Sequence, residues 1–208
     1  MIHIAIAKGR LEKEIAKILT EGGYTGDRLL SKDRSLIIHD GNYEITYYPA
    51  KSKDVITYVE YGACDMGFVG KDTILENPSE CYELADLKVG ICSFVLASLP
   101  EKEIFNKTGH LRIGTKYPYF SKKYFEEKGM DVEIIKIDGS VELSPILGLC
   151  DGIVDIAQTG RTLKENGLVV FEKICELSAR VIVNKAAFRF KNREIREFLN
   201  NIKAISEV

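Results

Sequence analysis

The chain has 208 residues, of which 45% are hydrophobic and 29% charged, and its formal net charge is −2. That length suits one large domain or two small ones, and a near-neutral balance excludes a global field that would draw nucleic acid or an anionic membrane. Five cysteines, an odd number with no C-x-x-C pair, several of them inside apolar runs, read as buried reduced thiols. No charged-then-apolar leader opens the sequence, and no apolar run approaches the ~18 residues that read as a membrane span. A cytoplasmic protein is expected.

"IHIAIA" (2–7) is a short β-rich run that stops at Lys8-Gly9-Arg10, and a helix with Leu11, Ile15, Ile18 and Leu19 on one face follows. "SLIIHD" and "YEITYY" flank Gly41-Asn42 as a hairpin. Asp54 is placed to cap a helix carrying Val55, Tyr58 and Val59. "DMGFVG" reads as a buried strand whose Gly67 and Gly70 let backbone approach a flat ring, and 71–76 as a brief helix. Residues 82–99 form a long extended stretch. Strand "LRIGT", helix 118–128, strand "VEIIKI", helix 140–149, strand 152–158 and a helix from Arg161 come next. Residues 168–184 are extended again, and a last helix places Ile195, Phe198, Leu199, Ile202 and Ile205 on one stripe.

Strands alternating with helices predict an α/β fold with mainly parallel sheets. The two long extended stretches suit segments that cross between lobes. Lobe I is then 1–89 plus 179–208, and lobe II 90–178, with the ligand expected in the cleft between them.

"DGIVDIAQTGRTL" (151–163) carries the chemistry. A strand ending in T-G-R-T at a helix start aims several backbone N–H groups at one spot, and the helix terminus adds partial positive charge. Thr159 and Thr162 add hydroxyl donors and Arg161 a full charge, a nest suited to a phosphate monoester. Asp155, on the strand before it, can accept hydrogen bonds from sugar hydroxyls, so the pair suits a ribose 5-phosphate. The alternative is a helix cap beside a solvated arginine. Lys8 and Arg10, at the end of the first strand, lie where open α/β sheets place ligands and read as polyphosphate contacts or as solvated cations. Arg34 precedes another strand and reads equally as a surface charge. Asp72 reads as a base contact or as a helix N-cap.

The chain resembles the ATP phosphoribosyltransferase family in its short catalytic-subunit form, through "AKGRL", "KDVITYVEYGACDMGFVGKD", "ELADLKVGIC", "RIGTKYPYFSKKYFEEKG", "GSVELSPILGLCDGIVDIAQTGRTLKENGL" and "SARVIVN" in order. The resemblance implies two α/β lobes like a type II periplasmic binding protein. It implies attack by N1 of the adenine of ATP on C1 of phosphoribosyl pyrophosphate (PRPP), releasing pyrophosphate, as the first step of histidine biosynthesis. It assigns PRPP binding to Asp155, Ala157, Thr159, Gly160, Arg161 and Thr162. Arg10 and Arg34 become catalytic residues facing the phosphates, and Lys8, Asp72 and Glu142 ATP-binding residues. No protein metal site is implied, since Mg²⁺ would ride on the substrate phosphates.

Adenine N1 carries a lone pair and no proton, so the bond forms without a general base. The three histidines, His3, His39 and His110, show no catalytic spacing and read as structural. The sequence departs from the family pattern at Gln158 (usually an acid), Ile56 (usually Pro) and Lys51 (often Arg), and the lysine keeps the charge but loses the bidentate geometry. The resemblance also implies a homodimer and a separate regulatory subunit, related to histidyl-tRNA synthetase, in a hetero-oligomer. No nucleic acid or membrane partner is expected. With the last segment returning to lobe I as one helix, the catalytic chain by itself is expected to be insensitive to histidine. Solute-binding proteins, the ligand domains of transcription regulators and salvage phosphoribosyltransferases are the rival classes. The first lacks a leader here, the second a basic helix-turn-helix, and the third would have a single lobe and use a free base with an ionisable N–H.

Overall fold

The computed structural model describes residues 1–30, 35–102, 104, 110–202 and 205–206. In chain order the first elements are β1 (Ile2–Ala7), α1 (Glu12–Glu21), β2 (Ile38–His39), β3 (Ile45–Ala50), α2 (Ser52–Glu60), β4 (Met66–Gly70), α3 (Lys71–Glu76) and β5 (Tyr82–Asp86). Next come β6 (Cys92–Ser98), β7 (Leu111–Thr115), α4 (Pro118–Glu127), β8 (Val132–Lys136), α5 (Leu143–Ile146), β9 (Gly152–Ala157), α6 (Arg161–Glu165) and β10 (Val169–Leu177). The chain closes with β11 (Ala179–Val183), α7 (Lys185–Phe190), α8 (Asn192–Asn201) and β12 (Ile205–Ser206).

The chain divides into two compact units, Met1–Gly90 with Ser178–Val208, and Ile91–Leu177. The first holds a seven-stranded sheet in the order β12-β5-β11-β4-β1-β3-β2. Alternation along β1 decides what covers each face. Ile2, Ile4 and Ile6 join a core with Ile15 and Leu19 of α1 and with Ile195, Phe198 and Leu199 of α8. Ala5 and Ala7 face the other way, against Val55, Ile56 and Val59 of α2. The small residues on that second face let α2 come close. A Cβ on Gly67 would stand 2.6 Å from Val55 Cγ1 and 2.9 Å from Val59 Cγ2. Gly67 therefore serves helix-on-sheet packing, and the expected approach of its backbone to a flat ring is not found.

The second unit holds a five-stranded sheet in the order β10-β6-β9-β7-β8. The expected parallel pairing is found in β1 with β3 and β4 and in β7 with β8 and β9. Antiparallel pairs join them: β11 lies between β4 and β5, and β6 between β9 and β10. Both sheets are thus mixed.

Several element boundaries move for physical reasons. The extended stretch 82–99 breaks after β5, where Lys88 (φ 55°) and Gly90 (φ 63°) turn the chain. The stretch 168–184 breaks at Ser178 between β10 and β11. The helix expected over 140–149 shrinks to Leu143–Ile146, because Pro145 offers no N–H to extend it and Gly148 leaves the helical region at φ 69°. Ile205 leaves the stripe of the last helix and joins a short strand paired with β5. Asp54 does not cap α2: the cap is Lys51, with no side-chain bond, and Asp54 lies in the first turn, where its charge still complements the helix terminus.

All five cysteines are free, with Cys64, Cys92 and Cys150 buried. Each histidine has a structural partner: His3 Nδ1 bonds with the Tyr48 hydroxyl, His39 Nδ1 with the Thr46 hydroxyl, and His110 pairs with Glu133.

Candidate active site

In the second unit, β9 runs between β6 and β7 and ends at Ala157. Gln158 and Thr159 are exposed, and Gly160 then takes φ 69° and ψ 5° as the residue before α6. That left-handed conformation costs any residue with a Cβ ~1–2 kcal/mol, which explains the glycine. Among the described residues, nothing lies within 4 Å of where a Gly160 Cβ would stand. The turn therefore presents bare backbone to open space. The Thr159 hydroxyl accepts from the Arg161 N–H at 3.4 Å, while the cap itself is Gly160, with no side-chain cap bond. The next N–H groups of a first helical turn have no partner inside the helix. Thr159, Arg161 and Thr162 are all exposed around them.

Asp155 stands behind this turn, partly buried, with its charge under stress. Burial pushes its carboxyl above the usual range. The Ile156 N–H and the Lys116 charge act to lower it, and the Glu142 charge raises it again. The structure thus gathers Asp155 and Glu142 with Lys116, a residue the sequence reading did not select. Glu142 immediately precedes α5, and Ala157 lies at the end of β9.

In the first unit, β1 delivers Lys8, Gly9 and Arg10, with Gly9 at φ 102°. Lys8 and Arg10 are exposed, and Arg10 Nη1 donates to the Gly90 carbonyl at 2.8 Å. The neighbouring parallel strand β4 delivers Gly70 and Asp72. A Cβ on Gly70 would stand 2.1 Å from Asp72 Oδ1 and 3.5 Å from Leu11 Cδ1, so the Asp72 carboxylate folds back over Gly70 beside the β1 turn. This brings Arg10 and Asp72 to one edge of the sheet. Asp72 is not the N-cap of α3, a place taken by Gly70. Arg34 lies outside the described residues.

A buried charge network underlies this edge. Asp86 accepts from the Ser178 hydroxyl at 2.6 Å and pairs with Lys88 at 2.5 Å and Arg180 at 3.1 Å. Glu83 pairs with Lys71 at 2.6 Å and Arg180 at 3.1 Å. Burial works to raise the Asp86 carboxyl, yet the bonds from Lys88 and Ser178 and the Arg180 charge hold it below the usual carboxylate range. The network fixes 86–90, the segment whose Gly90 carbonyl anchors Arg10.

Two units of open α/β sheet, with charged turns at the carboxyl ends of inner strands, define an α/β fold like that of the type II periplasmic binding proteins. In keeping with this, the periplasmic aliphatic sulphonate binding protein SsuA from Escherichia coli shares the fold, with TM-score 0.57 at 11% identity over 97% of this chain and 70% of that one. The family model described as HisG, ATP phosphoribosyltransferase, matches residues 51–204. An ATP phosphoribosyltransferase from Clostridium novyi (strain NT) is 51% identical over 98% of this chain and 97% of its own length. One from Clostridium kluyveri (strain NBRC 12016) is 48% identical over 100% and 95%. The ATP phosphoribosyl transferase (HisG:HisZ) complex from Thermotoga maritima superposes with TM-score 0.83 at 35% identity, covering 98% of this chain and 97% of that one. The chain belongs to the ATP phosphoribosyltransferase family, the transferases of the first step of histidine biosynthesis.

Proposed function

We propose that the turn Thr159–Thr162 holds the 5-phosphate of PRPP and that Asp155 accepts hydrogen bonds from its ribose hydroxyls. The observation that carries this reading is the left-handed Gly160, which leaves open space before the backbone at the end of β9. Ala157 completes the strand end that the sugar meets. Arg10 faces the pyrophosphate, where negative charge grows as the C1–O bond breaks, and electrostatic stabilisation of that charge lowers the barrier. Arg34 shares this role in the family pattern. Lys8, Asp72 and Glu142 bind ATP, Asp72 through the base.

The chemistry asks little of the side chains as bases. The N1 lone pair of adenine forms the new bond to C1, and the electron pair of the old C1–O bond leaves with pyrophosphate. The 6-amino group then loses a proton, which we assign to Glu142. Mg²⁺ would be held by the substrate phosphates and water, since the lysine and arginine of the β1 turn are not metal ligands. No group of three or more His, Cys, Asp or Glu able to hold a metal occurs among the described residues. Bound there, Mg²⁺ would neutralise phosphate charge.

The wider assignments follow the family. The family pattern gives the chain a homodimer and a separate regulatory subunit related to histidyl-tRNA synthetase, and the HisG:HisZ complex from Thermotoga maritima supports the hetero-oligomer. It works in the cytoplasm, and no helix among the described residues is long and apolar enough to cross a membrane.

Mass spectrometry of the purified chain with ATP, PRPP and Mg²⁺ tests the reading. N1-phosphoribosyl-ATP and pyrophosphate are the expected products, unaffected by histidine until the regulatory subunit is added. Such inhibition is a coupling between two distinct sites. Saturable inhibition of the isolated chain by micromolar histidine would refute the division of labour.

A further inference from the structure

Strand β9 is held differently on its two sides. Against β6 its pairing runs to the end, with Val95 opposite Asp155, Phe94 opposite Ile156 and Ser93 opposite Ala157. Against β7 the pairing stops earlier, at Thr115 opposite Val154. Among the described residues, the segment from Asp155 to Ala157 that leads into the T-G-R-T turn is therefore paired on one side only. Where β7 lets go, a side chain takes hold: the Thr115 hydroxyl donates to the Val154 carbonyl at 2.7 Å. The same oxygen accepts from the Tyr117 N–H at 2.9 Å and from the Ser121 hydroxyl at 3.2 Å. The directions are forced. A carbonyl only accepts and an amide N–H only donates, so the single Thr115 proton goes to Val154 and Ser121 must donate. Thr115, Ser121 and Val154 are all buried, so none of these bonds can pass to water. One hydroxyl thus joins β7, β9 and the start of α4.

We propose that Thr115 is a positioning residue of the transfer reaction: its hydroxyl sets the place of the β9 end, and so of Asp155 and the turn beyond it, before PRPP binds. The inference rests on the PRPP-binding role given to that strand end above. The coupling is short, since the Val154 carbonyl and the Asp155 N–H belong to one planar peptide group. A carbonyl that turns toward a new partner turns the Asp155 backbone with it. An aliphatic side chain at 115 leaves the Val154 carbonyl, the Tyr117 N–H and the Ser121 hydroxyl buried without this partner. Buried polar groups rearrange to recover hydrogen bonds, because staying unpaired is costly. The β9 end is the part that gives way, because β7 no longer pairs with it. Buried as it is, Thr115 acts through Val154 and not on a substrate, so its effect falls on PRPP binding and not on the bond-breaking step.

The test is calorimetric titration of PRPP, with steady-state kinetics, on wild type, Thr115→Val, Thr115→Ser, Ser121→Ala and Gly160→Val, each checked for folding by circular dichroism. Thr115→Val keeps the shape of the side chain and loses the hydroxyl. Its PRPP affinity should fall about tenfold, while kcat and the KM for ATP at saturating PRPP change by less than about twofold. Thr115→Ser keeps the donor and should bind PRPP within about threefold of wild type. Ser121→Ala removes a group that only donates here, leaves the Val154 bond in place, and should also stay within about threefold. A role in stability alone would lower the urea midpoint of Thr115→Val and leave its PRPP affinity at the wild-type value, and that result overturns the proposal. An equal loss of affinity in Ser121→Ala overturns it as well. Should Thr115→Val not fold, Thr115→Ala removes the same hydroxyl and is read in its place. Gly160→Val separates the proposal from the reading beneath it. If Gly160→Val loses PRPP and Thr115→Val does not, only the role of Thr115 falls. Wild-type affinity in both removes the PRPP assignment of the strand end, and the proposal with it.

Discussion

At the end of β1, Arg10 is tied to the Gly90 carbonyl, and the segment bearing that carbonyl is pinned by Asp86 to Lys88, Ser178 and Arg180. At the end of β9, Thr159, Arg161 and Thr162 stand exposed, and a single left-handed glycine sets the path of the backbone. The first unit invests side-chain bonds to place a cation before any ligand arrives. The second places exposed Thr159, Arg161 and Thr162 around a helix start that no side-chain brace holds. A group fixed in advance costs no reorganisation when charge develops, which suits stabilisation of a leaving group. A bare nest suits uniform binding of a phosphate that does not change during the reaction. Under the proposed assignment, one turn serves catalysis and the other ground-state binding.

The largest effect should come from closing the open turn. Gly160→Val forces a β-branched residue into the left-handed region and places its side chain in the space proposed for the phosphate. The strain is ~1–2 kcal/mol, small against a domain stability of about 5–15 kcal/mol, so the fold survives. Calorimetry should show PRPP affinity falling more than ~100-fold, since the loss combines a steric block with several charge-assisted bonds. Near-normal PRPP binding in a folded Gly160→Val protein would end the phosphate assignment.

Next is the cation of the first unit. Arg10→Ala should lower kcat by about 10²-fold while PRPP affinity changes much less, the pattern of an interaction made mainly in the transition state. Steady-state kinetics with both substrates varied separates the outcomes. A rise in KM alone would make Arg10 a uniform binder and erase the contrast between the two turns.

The third prediction sharpens the comparison by attacking the brace. Asp86 is 2% exposed, and Asp86→Asn leaves Arg180 and Lys88 without their shared charge. Breaking a buried ion pair costs about 3 kcal/mol, readable as a shift in urea midpoint. Because the Asp86 carboxyl lies below its ordinary value in the folded chain, its contribution is complete above the unfolded carboxylate range, near pH 4. It is lost as pH falls through the folded value. The gap between wild type and Asp86→Asn should therefore close on acidification. A gap independent of pH would show that the network contributes by packing alone. No comparable loss is expected from substitutions at the exposed Thr159 or Thr162.

The same contrast explains what the sequence revealed. The T-G-R-T turn is contiguous, and the chemistry of its glycine, hydroxyls and arginine is legible at a glance. Strands β1, β4, β7 and β9 announce themselves by short apolar runs, and Gly160 by the conformation its turn requires. Asp86 and Ser178 are 92 residues apart in sequence and meet only through the antiparallel pairing of β5 and β11. No spacing predicts that. Gly67 misled for a related reason: a strand glycine reads alike whether a ligand ring or the valines of a helix occupy the space above it. Pro145 and Gly148 did carry a local signal that α5 would be short.

One titration separates the two turns most directly. Ribose 5-phosphate has the sugar and its 5-phosphate but no pyrophosphate, so it engages only the groups assigned here to the second unit. Calorimetry should show it binding wild type and Arg10→Ala with equal affinity and failing to bind Gly160→Val. Binding that is lost in Arg10→Ala and kept in Gly160→Val would contradict the account.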